Sequence, residues 1–376
     1  MRLMSETTLT LVQFLRDGLD PVPELARLRA EQPVSPLLIP NGPTAWLVTS
    51  YRDARAVLGD ADTFSNDFAN LMGGGAGGPT EDQDPGGLGM ADPPKHTRLR
   101  KMLTAEFTAK RLRELEPRIT AVVDECLDDT ATAGAGGDPV DLVRTFAHPI
   151  PSLVICELLG VPADERADFQ RISNNRFDVS GAPGGGLDAI GESLNYLGGL
   201  VSRQRAEPGD GLLTGGHDTT ASMLALGTVL ILGNPDYRAA ALDPARIGGL
   251  VDELLRYISV VQVAFPRWAR RDTEIAGQRI GAGDMVICSL SGANRDVELG
   301  PDMERVDPDR IVKPHLAFGF GIHHCVGAQL ARREMAIAYP ALLRRFPTLR
   351  LAVPAEELAY RPFSIVYGVG SLPVAW

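Results

Sequence analysis

Three glycines, Gly319, Gly321 and Gly327, crowd the stretch FGFGIHHCVG, Phe318 to Gly327, which holds one cysteine near its end. No other stretch constrains the fold as tightly. Glycine takes turns that residues bearing a Cβ resist, so the run reads as a tight loop with Cys325 at its tip. Directly after it, Leu330, Ala331, Met335, Ala338 and Leu342 recur at roughly helical spacing. The loop therefore delivers Cys325 to a helix N-terminus. There the free amides and the helix dipole favour an anion, so a lowered thiol pKa is expected. A thiolate held that way is suited to ligate a metal.

Which metal is a question of partners. Structural zinc wants three or four ligands in paired spacing, and Cys126, Cys156 and Cys288 are scattered, without CxxC spacing or a disulfide framework. A cysteine protease needs a distant His and Asn that spacing alone does not reveal. Heme iron needs only one axial thiolate, which favours O–O cleavage.

The chain has 376 residues and a net charge of -11, from 37 Lys and Arg against 48 Asp and Glu. No global basic footprint for nucleic acid exists. No apolar run approaches the ~18 residues of a membrane span. The opening MRLMSETTLTLVQFLRDG lacks the order of a secretory signal, so a cytoplasmic protein without membrane contact is expected.

Helical periodicity dominates the middle of the chain, through Arg111 to Leu127 and Val140 to Leu159, and in a helix that Asp92 caps and Pro93 opens. Ala45 to Thr49, the β-branched runs between Val260 and Ile287, and Phe363 to Val374 read as strands. The Gly-rich stretch from Gly73 to Gly89 reads as a loop, with a binding lid as the expectation and a merely disordered segment as the alternative. No repeat and no dividing linker appears. The expectation is a mainly α fold with a small β portion, one large domain over residues 1–376.

Phe318, Gly321, His323, Cys325 and Gly327 together resemble the heme-binding signature of the cytochrome P-450 superfamily in its soluble bacterial, actinomycete-type form. The resemblance runs from about Trp46 to Trp376. It implies a heme-thiolate monooxygenase with heme b, iron protoporphyrin IX, ligated by Cys325, and with His323 donating to a heme propionate. Phe318, Gly321 and Gly327 are implied in cofactor binding. His96 and Arg100, four apart on one helix face, and Arg267 are implied as further propionate partners.

GGHDTTAS, Gly215 to Ser222, resembles the family's oxygen-binding groove, in which Asp218 and Thr219 match the acid and alcohol that relay protons. Two glycines cost a helix about 1 kcal/mol each relative to Ala, so a local opening of the helix is expected there. A bland alternative is that Asp218 or Thr219 simply caps a helix. Glu253 and Arg256, three apart, resemble the family's ExxR pair, with Arg310 as the third member of a buried structural network. The substrate pocket implied by resemblance comprises Met90, Gly215, Val263, Ala264, Phe265, Phe363, Ser364 and Ile365, with the lid.

GGGAGG from Gly73 satisfies G-x-G-x-x-G but neither follows a strand nor opens a helix, so a dinucleotide site is discarded. Electrons are then expected from a ferredoxin and its reductase. Lys101, Arg111, Arg113, Arg332 and Arg333 are the candidate dock, with a solvated charge run as the plain alternative. Residue usage rich in Ala, Gly and Arg resembles that of actinomycetes, which suggests a small hydrophobic natural product as substrate: a macrolide or other polyketide, a peptide or a terpenoid. Hydroxylation or epoxidation with dioxygen by a monomer is expected. Rival readings are oxidative coupling, peroxide-driven oxidation and a non-catalytic heme-binding protein. Lid acids Glu81, Asp82 and Asp84 read as solvated.

The chain departs from the family in one region. After RQRAEPGDGLL about two dozen residues are fewer than the resemblance implies, so a missing segment is expected near residues 210–211, as a break in the chain rather than a true deletion. Gly215 stands where alanine is commoner, and Met303 to Val306 lacks the usual aromatic and proline.

Overall fold

The computed structural model describes residues 14–38, 43–67, 87–159, 161, 210–311, 314–362 and 364–376. The helices of eight or more residues among the described residues are α1 (Pro23–Glu31), α2 (Tyr51–Gly59), α3 (Lys95–Thr104), α4 (Ala109–Ala133), α5 (Pro149–Leu159), α6 (Asp210–Gly233), α7 (Pro235–Leu242), α8 (Ile247–Ile258) and α9 (Ala328–Arg345). Ser50, Thr108 and Asn234 cap α2, α4 and α7 by accepting backbone N–H groups, as short polar residues do at helix starts.

The strands are β1 (Val34–Leu37), β2 (Ala45–Val48), β3 (Phe64–Ser65), β4 (Val140–Asp141), β5 (Arg267–Ala269), β6 (Thr273–Ile275), β7 (Gln278–Ile280), β8 (Met285–Cys288), β9 (Arg350–Leu351) and β10 (Pro373–Ala375). One sheet runs β1-β2-β8-β5-β3, with β2 and β8 parallel and every other pair antiparallel. A second runs β4-β10-β9, and β6 and β7 form a hairpin. Ala276 and Gly277, both at positive φ, turn that hairpin, the twist that suits a two-residue connection.

The main apolar core lies where α4, α5, α6, α8 and α9 meet, joining Val123, Phe146, Leu224, Leu254, Met335 and Leu342. Small residues set the helix distances there. A Cβ on Gly216 would meet Ile155 Cδ1 at 2.3 Å, so glycine lets α5 lie close against α6. A Cβ on Gly227 would meet the Tyr339 hydroxyl at 2.0 Å, and that hydroxyl donates to the Met223 carbonyl at 2.6 Å.

The mainly α single domain with a small β portion agrees with the sequence, and three local expectations do not. Val140 to Leu159 is not one helix: it begins as β4, pairs with β10, passes a π-turn over Val143–Ala147 and only then becomes α5. Asp92 does not cap α3 with its side chain. Its carboxylate takes the Ser65 hydroxyl, the Asn66 amide and Arg270, tying the end of β3 to the start of α3. And α6 runs unbroken through Gly215 and Gly216, and Gly216 serves the close approach of Ile155 rather than an opening. Asp210 and Gly211 are both in α6; residues 162–209 lie outside the described residues, as does the lid from Gly73 to residue 86. No helix among the described residues is long and apolar enough to cross a membrane.

Candidate functional site

Gly319 (φ 70°) and Gly321 (φ 74°) place the cysteine loop. At Gly321 a Cβ would also meet the Leu58 carbonyl oxygen at 2.4 Å, so the loop lies directly on the end of α2. Gly327 differs: its φ of -84° suits any residue, and a Cβ there would stand 3.9 Å from both Cys325 Sγ and the Phe107 ring. The Cys325 amide donates to the Phe318 carbonyl at 2.9 Å, closing the loop, and α9 starts three residues on.

The expected lowering of the Cys325 thiol pKa is not found. Desolvation raises it, while the amides of Gly327 and Ala328 and the guanidiniums of Arg100 and Arg332 pull the other way without prevailing. By surface area Cys325 is exposed. The crowding of protein around its sulfur nonetheless governs the titration, and a metal cation bound to the sulfur would reverse it.

Three donors beside this loop lack acceptors among the described residues. Buried His96 on α3 and half-buried His323 have ring centroids 4.4 Å apart, and neither Nε2 has a hydrogen-bond partner. Arg267 on β5, 4% exposed, leaves Nη1 unpartnered. Burial, with Arg267, His96 and Arg100 nearby, pushes His323 down to about 3. Arg100 gives one N–H to the His324 carbonyl at 2.6 Å. A buried set of donors with no protein acceptor calls for an anion with several oxygens. Phe318 lies under Arg332, whose guanidinium carbon is 4.6 Å from the ring centroid.

On α6, Asp218 is buried and Thr219 half-buried. Burial pushes the Asp218 carboxyl up, but His217, His148 and Arg361 outweigh it and hold it below its ordinary range. His217 Nδ1 stands 3.3 Å from Asp218 Oδ1. His148 and His217 meet edge to face at 5.2 Å, and burial drives His148 down to about 4. Arg361 donates to Ser222 Oγ at 2.9 Å in space that Gly368 leaves free. His148, His217 and Arg361 were absent from the sequence reading. His217 stands inside the GGHDTTAS motif, whereas His148 and Arg361 come from distant segments that share no pattern with it.

Glu253, Arg256 and Arg310 meet in one buried network. Arg256 grips both Glu253 oxygens at 2.7 and 2.8 Å, and Arg310 Nε donates to Oε1 at 2.9 Å. The remaining Arg256 N–H groups bond the carbonyls of Asn294, Met303 and Arg305, so the network pins the segment after α8 and β8.

The pocket residues gather in part. The Phe265 ring lies 3.0 Å from where a Gly89 Cβ would stand, next to Met90. Val263 shares a core cluster with Ile365, and Gln262, one residue earlier, bonds the carbonyls of Ser364 and Ile365. Ala264 packs against the neighbouring cluster. Phe363 and the Gly215 side-chain position lie outside the described residues. A cleft of about 830 Å³ between α4, α7 and α9 touches none of these residues.

Comparison with known proteins settles the family. The family model for cytochrome P450 matches residues 249–356. Cytochrome P450-SU2 of Streptomyces griseolus is 41% identical over 95% of this chain and 94% of its own. Mycinamicin IV hydroxylase/epoxidase of Micromonospora griseorubida is 36% identical, covering 96% of each. The crystal structure of CYP105P1 in complex with filipin I superposes with a TM-score of 0.86 at 38% identity, covering 98% of this chain and 99% of that one. The chain belongs to the cytochrome P450 family. The P450-SU2 alignment spans 384 positions yet uses only 95% of these 376 residues, so more than two dozen of its positions have no counterpart here.

As a cytochrome P450 the protein is a monooxygenase, and the family carries a heme iron. The residues fit that cofactor. A sulfur stands at the tip of a glycine loop, and His96, His323 and Arg267 supply the unsatisfied donors that two carboxylates on a porphyrin edge require.

Proposed function

We propose that this P450 holds heme b through Cys325 and inserts oxygen into a hydrophobic natural product, by hydroxylation or epoxidation. The observation that carries the reading is the convergence of unpartnered buried donors, His96, His323 and Arg267, beside a lone cysteine. An anionic edge and a metal face are what such a set serves together. Bound there, heme supplies the redox iron for dioxygen reduction.

The protein's own residues do the rest. Cys325 would hold the iron as its thiolate ligand. His96, His323, Arg267 and Arg100 would orient the heme carboxylates. Asp218, held ionised by its neighbours, and Thr219 one residue on hold and pass protons toward the oxygen side. Met90, Val263, Ala264, Phe265, Ser364 and Ile365 offer mostly apolar surface to substrate and exclude water. The relative named as a hydroxylase/epoxidase supports that reaction class.

Electrons are assigned to a ferredoxin and its reductase. Of the five candidate dock residues, Arg111 is paired with Glu106, Arg333 with Glu116 and Arg332 with Asp252, which leaves exposed Lys101 and Arg113 as the simplest contacts. Charge cancelled within the chain steers a partner weakly.

The deciding experiment is the absorption spectrum of the reduced, carbon-monoxide-bound protein. A strongly red-shifted Soret band that Cys325→Ser abolishes is expected; an unshifted band in fresh heme-loaded protein overturns the assignment. Turnover of candidate macrolides, peptides and terpenoids with a surrogate ferredoxin system, followed by mass analysis for an added oxygen, then separates insertion from coupling.

A further inference from the structure

A second cluster of ligating side chains lies apart from Cys325. His148 stands at the head of α5, and His217 and Asp218 are consecutive on α6. One ligand atom from each comes within 4.8 Å of the others. The packing explains why they meet: Gly216 lets α5 close on α6, and the π-turn before α5 swings His148 toward His217. His217 Nδ1 and Asp218 Oδ1 are buried and 3.3 Å apart, yet neither makes an aligned hydrogen bond.

We propose that His148, His217 and Asp218 form a binding site for a divalent transition metal, zinc above all, and that the bound ion withdraws Asp218 from proton delivery. The second clause rests on the proton role proposed above. The first stands on geometry alone.

Two imidazoles and one carboxylate are the donor set that zinc, cobalt and nickel prefer, whereas magnesium and calcium want oxygen. Around a tetrahedral zinc with bonds of ~2.0–2.1 Å, neighbouring ligand atoms stand roughly 3.4 Å apart. His217 and Asp218 already meet that spacing, at 3.3 Å, and His148, whose ligand atom lies within 4.8 Å of theirs, closes the remainder by turning its side chain. Three protein ligands leave the fourth position to water. Among the described residues, the charged groups that act on the cluster are Arg361, on both Asp218 and His148, and Asp141, on His148. With Asp218 itself, two carboxylates among the described residues stand against one guanidinium, a balance that favours a cation.

The test uses heme-loaded, full-length protein stripped with a chelator and dialysed against zinc chloride, with bound metal counted by mass spectrometry. One zinc per chain is expected, with affinity at least tenfold weaker in His148→Ala. Zinc equimolar with its site should slow product formation in the wild type and raise peroxide release, both reversed by EDTA, while His148→Ala stays insensitive. No zinc uptake, or identical uptake by wild type and His148→Ala, overturns the site. Uptake that depends on His148 but leaves product and peroxide unchanged overturns the link to Asp218. The reduced carbon-monoxide spectrum, recorded on the same samples, reports the heme-thiolate assignment separately and verifies that His148→Ala is folded.

Discussion

His96 and His323 face each other with ring centroids 4.4 Å apart, and neither Nε2 finds an acceptor. Two imidazoles from α3 and the cysteine loop gain nothing from each other in that arrangement, since burial, with the guanidiniums of Arg100 and Arg267 nearby, lowers the pKa of both. The pair makes sense only when a third, anionic party is bound. Stability of the apo form and retention of the cofactor are therefore in opposition at these positions.

That opposition is measurable. Arg267→Ala removes a buried unpartnered donor from the apo form and a charge-assisted bond from the loaded form, the latter worth about 1.5–3 kcal/mol. Heme loss, followed as transfer to apomyoglobin, should quicken by roughly 10- to 100-fold. The melting temperature of the heme-free protein should not fall. Heme transfer at the wild-type rate would remove Arg267 from the binding set.

Glu253 makes the opposite kind of contact, fully satisfied and 2% exposed. Burial pushes its carboxyl up, but Arg256 and Arg310 prevail and hold it below its ordinary value. Its folded-state pKa is thus depressed, so its contribution is present above the unfolded value and is lost as pH falls through the folded one. Glu253→Gln leaves Arg256 buried without a counter-charge and should cost about 3–5 kcal/mol in urea denaturation near neutral pH. The deficit should shrink as the wild type is acidified.

Glu334 on α9 carries the reverse sign. It is fully buried, Oε2 is unpartnered, and burial alone lifts its carboxyl from 4.5 to about 8. Folding then takes up a proton between those values, so stability declines as pH rises across the window. Glu334→Gln should flatten that slope, with equal melting temperatures near pH 4 and a variant advantage on the order of a few kcal/mol by pH 8. Parallel pH profiles for the two proteins would show that Glu334 stays ionised inside the fold.

These sites were unevenly legible in the sequence. The cysteine loop could be read because its signal is local: Gly319, Gly321 and Cys325 lie within one turn of chain, and backbone geometry demands the glycines. Glu253 and Arg256 share a helix face for the same reason, though only resemblance pointed to Arg310. What stayed hidden depends on distant segments meeting. Val140 and Asp141 look helical until β10 supplies a strand partner. Asp92 looks like a cap until Ser65 and Arg270 claim its carboxylate. His148 and Arg361 reach Asp218 only through the packing of α5 and the C-terminal segment on α6.

Gly319 and Gly321 allow a last comparison between two sources of strain in one loop. Both have positive φ, which costs a residue with a Cβ on the order of 1 kcal/mol. At Gly319 a Cβ would meet nothing closer than the His323 carbonyl oxygen at 3.9 Å, so Gly319→Ala should lose about that amount and keep its spectrum. At Gly321 the same Cβ would strike the Leu58 carbonyl oxygen at 2.4 Å and the Gly59 Cα at 3.1 Å, both backbone atoms at the end of α2. Neither yields as a side chain would, so Gly321→Ala should push the loop off α2, displace Cys325 and cost about 2–4 kcal/mol. Urea denaturation of the two variants gives the energies, and the fraction of red-shifted Soret absorption after reduction and carbon monoxide addition reports where the sulfur sits. Equal losses at the two positions would mean that backbone conformation alone, and not the contact with α2, sets the glycine requirement.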